Sequence, residues 1–549
     1  MERIIKNKNE MMKRLFIGTF ICLCSWTAIK AQAQNWYSTF GSDQEERVWK
    51  VKKDSKGNIY VLGNYTKSFS IETEFLVLEA EDEFFLAKFD KNGNITWVRT
   101  WTGIGLDLGT DIVIGDDDLV YVSASFFSKA RINNDAIFGE EGQDGFIMQL
   151  SEDGFNGWIR TYGGTRNDHC YGLYVDGNVI FGVGGFEGSA PFESEILLET
   201  KGASDMWIGQ FRLDDGFPNW VIPFGSTGDE VLNAVVKDFR NDLYVIGSFE
   251  GEAAFGNRTY DSGSGKDLLL GKVNFIGNPI WSEQLNVEGD ATFFPEIEVD
   301  EEANIYLTGK FKGNLTIKDT TISSADSYEG FLFSINANGG LRWIHTTNTV
   351  DSSELNGTAI FEDKLYVTGS LTNGTAFGSE TIEGGNGSKA ILAEFDLNGN
   401  INKLEIFDGS GQDATVDAIA GEDNVYTVGT FKESIQIGDE TINSTGDKDI
   451  FLMDLDPTDL VSDINEVKAQ PLEFDYFLDR GNQKLTVNLS DELIDRAQIF
   501  LIDANGRVLL RQENNLSTDI DLSSLSNGIY FLSVRSGKLM KTVAFDWVK

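Results

Sequence analysis

Three observations predict an all-β fold: a tandem repeat of 61 or 62 residues, short apolar strands broken by Gly, Asn and Asp turns, and almost no helical periodicity. Trp36, Trp97, Trp158, Trp220, Trp281 and Trp343 mark the period, and the next equivalent position holds Lys403. A second column runs through strands such as "NIYVLG" and "NIYLTG", as Tyr60, Tyr121, Phe181, Tyr244, Tyr306, Tyr366 and Tyr426. A period of this length means one supersecondary unit per repeat, too small to bury its apolar face alone.

Each unit offers four strands. In the second they read "DIVIG", "VYVSASF", "GFIMQL" and "WIRTYG". The last two are joined by an Asn-Gly type of hairpin, "FDKNGNITW" in the first unit, with near-copies ending at Trp158 and Trp343. Proline is scarce, at 7 residues, so little interrupts sheet hydrogen bonding. Four antiparallel strands repeated seven times predict a β-propeller, with an open stack of sheets as the competing arrangement. The phase of the repeat separates them. Trp36 precedes the first tyrosine strand, while the last unit ends at "FLMDLD" with no tryptophan strand after it. The N-terminal strand therefore supplies the outer strand of the seventh blade and closes the ring. An open stack would leave both ends with unpaired backbone.

"DEFFLAKFDKNGNITW" and "GNIYVLG", with weaker copies over residues 34–460, resemble the seven-bladed propeller repeats of exported bacterial proteins. Quinoprotein repeats, with their own Gly-then-Trp hairpin, are a more distant resemblance. The likeness implies the fold and brings no catalytic residues with it.

The N-terminus has the layout of a secretory signal peptide over residues 1–33. A basic stretch precedes an apolar run from Leu15 to Ile29, and Ala31 and Ala33 sit at the −3 and −1 positions of a cut before Gln34. The run is too short for a stable membrane span. After cleavage Cys170 is the only cysteine, which excludes a disulfide within the chain. The net charge of −42 argues against nucleic acid and anionic membranes as partners.

Two acidic columns are candidates for chemistry. One follows each Trp-column position by seven to ten residues: Asp43, Asp107, Asp168, Asp229, Asp290, Asp351 and Asp413. The other precedes the third strand: Glu83, Asp144, Asp205, Asp267, Glu329, Lys389 and Asp449. If strands alternate in direction, both lie on one face, opposite the Asn-Gly hairpins. Either each carboxylate holds its own loop by accepting backbone N–H bonds, or the first column lines the channel mouth and binds a cation or cationic partner. Recurrence in every unit favours the structural job. The connections between second and third strands vary most, and on that face they are the expected binding loops.

Catalysis has little support. The two histidines, His169 and His345, fall in different units, and "NDHC" at Asn167–Cys170 is an adjacency rather than a converging triad. No cofactor or metal is expected.

After a linker at 461–470 the repeat stops. Residues 471–549 alternate apolar and polar in short strands, which predicts a small β-sandwich-like domain. "DANGRV", with Asp503 and Gly506, and "LSSLSNGIYFLSV", with Gly528 and Tyr530, lead to the terminal Lys549. These features resemble the C-terminal (type A) sorting domain of type IX secretion cargo in Gram-negative bacteria. The resemblance implies recognition by that secretion machinery, passage through the periplasm, and a secreted or cell-surface destination. The expected function is non-enzymatic binding or adhesion toward an extracellular protein or glycan. The alternative is a polysaccharide hydrolase or lyase using carboxylates on the propeller face.

Overall fold

The computed structural model describes residues 36–460 and 474–547, except segments 67–68, 72–73, 77–82, 104–106, 133–134, 193–195, 292–295, 325–326, 350, 378–379, 383–386, 439, 459, 490–496, 504–507, 514–516 and 537–538. The expected signal peptide and linker, with Gly506 and Lys549, lie outside the described residues. The chain divides into two bodies, Met1–Val461 and Ser462–Lys549.

The N-terminal body is all-β and repeats one antiparallel unit. In the first, Glu46–Lys53 pairs with Ile59–Tyr65, which pairs with Glu83–Phe89, which pairs with Ile95–Gly103. The second runs Leu108–Ile114, Val120–Ile132, Asp135–Leu150 and Asn156–Tyr162 in the same order. Further units start at Asp168–Asp176, Asp229–Lys237, Glu296–Val299, Glu354–Phe361 and Ala414–Ala420. Each first strand packs beside the first strand of the next unit, and Ala414–Ala420 packs beside Glu46–Lys53, so the circuit closes in a propeller-like way. In the closing unit the outer place is filled by Tyr37–Phe40, with Tyr37 opposite Met453 and Phe40 opposite Ile450. The N-terminal strand acts as the predicted clasp.

The repeat columns now have physical causes. Each Trp-column ring lies against the Tyr-column ring of its own unit, with centroids 5.9 Å apart for Tyr60–Trp97 and 5.8 Å for Tyr306–Trp343. Except at Trp220, whose buried Nε1 has no partner among the described residues, its indole N–H reaches forward to a hairpin carbonyl of the following unit: Trp97 to Glu152 at 3.0 Å, Trp158 to Leu213 at 3.0 Å, Trp281 to Ala337 at 3.1 Å, Trp343 to Leu397 at 3.3 Å. Trp36 does the same with Lys91 at 3.3 Å. Where the column holds Lys403, its ammonium donates to the carbonyl of Pro457. The tryptophan is thus both apolar filler and inter-unit hydrogen-bond donor, and the lysine keeps the second role. Tyrosine hydroxyls donate to an aspartate six residues earlier, as Tyr60 to Asp54 at 3.1 Å and Tyr306 to Asp300 at 2.8 Å, and Asp54 also accepts the amides of Lys56 and Asn58. That carboxylate closes the turn between the first two strands.

The connections between second and third strands differ from expectation. Several are not irregular loops but extensions of the sheet. "EGEAAFGNRTYDSGSGK" pairs on itself from Glu252–Asp261 to Phe255–Arg258, with Gly256 at φ 64 in the turn. Alternation of small apolar and polar residues around Phe-Gly-Asn makes a hairpin there. These extensions also join neighbouring units, with Trp101 opposite Ile132 and Leu285 opposite Ile317.

The C-terminal body has a three-stranded sheet, Phe474–Asp479, Lys484–Leu489 and Ser517–Asp521. A four-stranded sheet runs in the order Val508–Glu513, Ala497–Asp503, Gly528–Ser536, Leu539–Trp547. Leu485, Val487, Ile499, Leu501, Leu532 and Trp547 from both sheets share one core. The Tyr530 hydroxyl ties the start of its strand by donating to the Ser526 carbonyl at 2.9 Å.

Candidate functional site

The seven aspartates of the first predicted column do not form one set. Asp107, Asp168 and Asp413 are buried, at 1%, 0% and 0% exposure. Asp43, Asp229 and Asp351 are exposed and Asp290 is half-buried. Tyr328 donates to Asp290, and Ser204 to Asp229. The buried slot lies ten residues after each Trp-column position and reads Glu46, Asp107, Asp168, Glu230, Ala291, Ser353 and Asp413. Glu46, Asp168 and Glu230 each accept the backbone N–H four residues earlier, from Ser42 at 3.1 Å, Gly164 at 2.8 Å and Ser226 at 3.0 Å. The slot takes either acid, so following aspartate alone slides onto neighbours outside it: Asp43, Asp229 and Asp351, which are exposed, and the half-buried Asp290.

The second column is buried throughout. Asp144 accepts the Glu140 amide at 2.8 Å, Asp205 that of Lys201 at 3.1 Å and Asp449 that of Thr445 at 2.9 Å. Lys389 replaces the acid in one unit and pairs with Asp408 at 3.1 Å. The carboxylates hold their own loops. Burial pushes Glu46, Asp107, Asp144, Asp168 and Asp413 up to about 7, and Glu230 to about 8.

A second charged group, not singled out from the sequence, lies among the first strands. Lys50 forms an ion pair with Glu296 from a distant unit, with side-chain exposures of 13% and 27%. Lys52, Asp111, Glu298 and Asp417 interact with this pair. Asp417 accepts the Val51 amide at 2.9 Å and Asp111 the Leu173 amide at 2.8 Å, so these acids also stitch consecutive first strands. Burial works against the Lys50 ammonium, but Glu296, Asp417 and Asp111 outweigh it and hold it above its ordinary range. Burial pushes Glu298 up to about 7. A signal was present: "WKVKK" and "PEIEV" place like charges two apart on strands otherwise apolar, and two apart means one face.

Among the described residues, an open cavity of about 330 Å³ has room for a ligand. Lys310 and Tyr328 of the Glu296–Val299 unit, Asp351, Ser353, Glu354 and Thr372 of the next, and Gln412 beyond it contribute to its wall. Lys310 pairs with Glu354 at 2.6 Å and sits 5.6 Å from the centre of the Tyr328 ring. Ser353 is buried and bonds to Thr375 at 3.1 Å. The cavity opens where Ser353 occupies a slot that is acidic in most units. Chemically it offers hydroxyls, an amide and a phenol around one internally neutralised ion pair.

The histidines belong elsewhere. Burial lowers His169 to about 4 and raises the Cys170 thiol to about 12, which leaves an uncharged imidazole beside an unreactive thiol. His345 bonds through Nε2 to the Gly399 carbonyl at 2.6 Å. Among the described residues no group of three His, Cys, Asp or Glu side chains is arranged to hold a metal ion. Exposed aromatics lie on the hairpins that follow third strands: Phe155 under Arg99, and Phe217 under Arg160 at 4.1 Å.

No curated protein sequence matches the chain. Solved structures similar to it include a europium-containing methanol dehydrogenase, at 10% identity over 78% of this chain and 94% of that one, with a TM-score of 0.33. A Trypanosoma rangeli sialidase shows 10% identity over 83% and 86%, with a TM-score of 0.34. A GH43 β-1,3-galactosidase shows 9% identity over 71% and 76%, with a TM-score of 0.26. Overlaps this loose carry no information on activity or substrate. Residues 481–545 match the family model of the secretion system C-terminal sorting domain. That tail marks proteins of Gram-negative Bacteroidetes for export by the type IX secretion system, and it assigns the chain to the cell surface or the medium.

Proposed function

We propose that residues 34–460 form a closed seven-bladed propeller acting outside the cell as a non-enzymatic binding module, delivered by the tail at 471–549 after loss of residues 1–33. The ligand is a polar extracellular molecule, a glycan or a protein side chain, held in the cavity around Ser353. The observation that carries this reading is the break in the repeat: the cavity lies where Ser353 stands in the acidic slot, and binding surfaces belong where repeated units differ. Of the two carboxylates in the wall, Glu354 is paired with Lys310, which leaves Asp351 alone rather than in the pair of working acids that glycoside hydrolysis uses.

The test is a glycan and protein-partner screen with the exported chain, followed by titration calorimetry on each hit. Ser353→Phe fills the cavity, and Lys310→Met removes its cation. Both should lower affinity by at least tenfold while the melting temperature of Lys310→Met stays near wild type. Unchanged affinity in both variants, or turnover of a hit, overturns the reading.

A further inference from the structure

The buried acids of the two columns meet across the seams between consecutive units. Asp205 ends one unit's third-strand connection and Glu230 opens the next unit, where the Glu230 amide donates to the carbonyl of Ser204 at 3.2 Å and the two carboxyl groups interact across the seam. Each keeps one oxygen on the backbone of its own loop, Asp205 from Lys201 and Glu230 from Ser226. The other oxygens, Asp205 Oδ1 and Glu230 Oε2, are buried without any donor, on residues 1% and 0% exposed. Two carboxylates cannot satisfy each other, since each only accepts; with one proton between them, both orphan atoms acquire a partner.

Acids meet at three other seams, where one partner is already better satisfied: Asp168 accepts the Gly164 and Glu187 amides, and Glu46 accepts the Ser42 amide and hydroxyl. Asp144 faces Asp168, and a methyl group at Gly163 would overlap both carboxyls. Asp449 faces Glu46 across the clasp, with Asp449 Oδ1 unpartnered and buried. Asp107 faces Glu83 with its Oδ2 unpartnered, while Glu83 accepts the Tyr65 hydroxyl at 3.0 Å. Glycines at 41, 103, 163 and 225 lie directly over these carboxyls, and no side chain would fit.

We propose that Asp205 and Glu230 share one proton, a carboxylic acid on one donating to a carboxylate on the other, and that the Asp144–Asp168, Asp449–Glu46 and Glu83–Asp107 seams are sealed in the same way. The proton is the bound ligand of each seam. The charged neighbours are Lys201 and Asp229 at the first seam, Glu140 and Glu187 at the second, and Asp43 at the third. Among these only Lys201 opposes protonation, and its ammonium is engaged with the Gly225 carbonyl at 3.2 Å.

The consequence has a definite sign. An unfolded carboxylate gives up its proton near pH 4, whereas burial, then neighbouring acid, lets the folded seams keep theirs to about 7 or 8. Between those limits the folded state binds more protons than the unfolded, so stability falls as pH rises through the window. Each pair titrates as one coupled unit.

The test uses the full exported chain. Calorimetry from pH 5 to 8.5 should show the melting temperature of the N-terminal body falling by several degrees. In Glu230→Gln the amide donates permanently to Asp205, so the fall should be shallower and the variant should equal or exceed wild type at pH 8.5. Infrared spectra of wild type at pH 6.5 should show a protonated carboxyl band that weakens in Glu230→Gln. Absence of that band in wild type, or parallel melting curves for the two proteins, overturns the proposal. If the variant does not fold, Asp205→Asn supplies the same two readouts from the other side of the pair.

Discussion

Trp36 and Tyr426, from opposite ends of the N-terminal body, meet with ring centroids 6.2 Å apart, and the Trp36 indole then donates across the seam to Lys91. One residue therefore completes the last unit and fastens it to the first. Trp36 is half-buried, so Trp36→Ala should cost less than a core aromatic truncation, about 1–3 kcal/mol. Deleting Trp36–Gly41 should lower the melting temperature far more than trimming an equal length from the 461–470 linker. Equal losses in the two deletions would show that the clasp contributes nothing.

The hairpin glycine is the partner surface for that tryptophan. Gly93 has φ 83, and a Cβ on it would run into the Trp36 ring. Gly438 has φ 58 with nothing within 4 Å of a Cβ. Gly438→Ala should therefore cost about 1 kcal/mol from backbone strain alone. Gly93→Ala should cost at least about twice that, and chemical denaturation of both variants measures the difference. Similar values would mean that Trp36 has room to move.

How legible was this in the sequence? The tryptophan and tyrosine columns were plain because the two rings pack on each other in nearly every unit, an apolar job that few residue types can fill. The acidic slot blurred because its job, accepting a loop amide inside a seam, is performed equally by Glu46 and Asp168. Aspartate alone points to Asp43 and Asp229, three residues and one residue before the slot. Hairpin extensions such as Asp242–Phe255 with Arg258–Asn274 were hidden because an exposed two-stranded arm needs little apolar content. The Lys50–Glu296 pair was invisible for another reason: it joins units far apart in the chain, and only closure of the ring brings them together.

That ion pair makes a separate prediction. Lys50→Met removes the ammonium paired with Glu296 and leaves Lys52 as the remaining cation acting on Glu298 and Asp111. For a pair only partly buried the loss should approach, without exceeding, the roughly 3–5 kcal/mol of a fully buried one. Burial already raises Glu296 and Asp111, and loss of Lys50 raises them further. Acids raised in the folded state stabilise at low pH and lose that contribution as pH rises. The penalty should accordingly be smaller at pH 5 than at pH 8, and Lys50→Met with Glu296→Gln should recover much of it. A penalty that does not change with pH would place these charges in contact with solvent.

The sorting domain and the repeat units belong to different bodies, and this separates their mutational effects. The C-terminal body has its own core of Leu485, Val487, Ile499, Leu532 and Trp547, and the N-terminal body closes its circuit through Tyr37–Phe40 without any residue after Val461. Removing residues 471–549 should leave the N-terminal melting transition within about a degree of wild type, because no strand of the circuit is lost. It should also leave the protein in the periplasm, since residues 481–545 carry the sorting signal. Tyr530→Phe, which removes the bond to the Ser526 carbonyl, should cost the C-terminal transition about 1 kcal/mol while the N-terminal transition stays unchanged. Fractionation of cells expressing each form measures export, and calorimetry measures the two transitions. Normal appearance of the truncated chain at the surface or in the medium would contradict the sorting role, and a truncated chain that no longer melts cooperatively would contradict the independence of the two bodies.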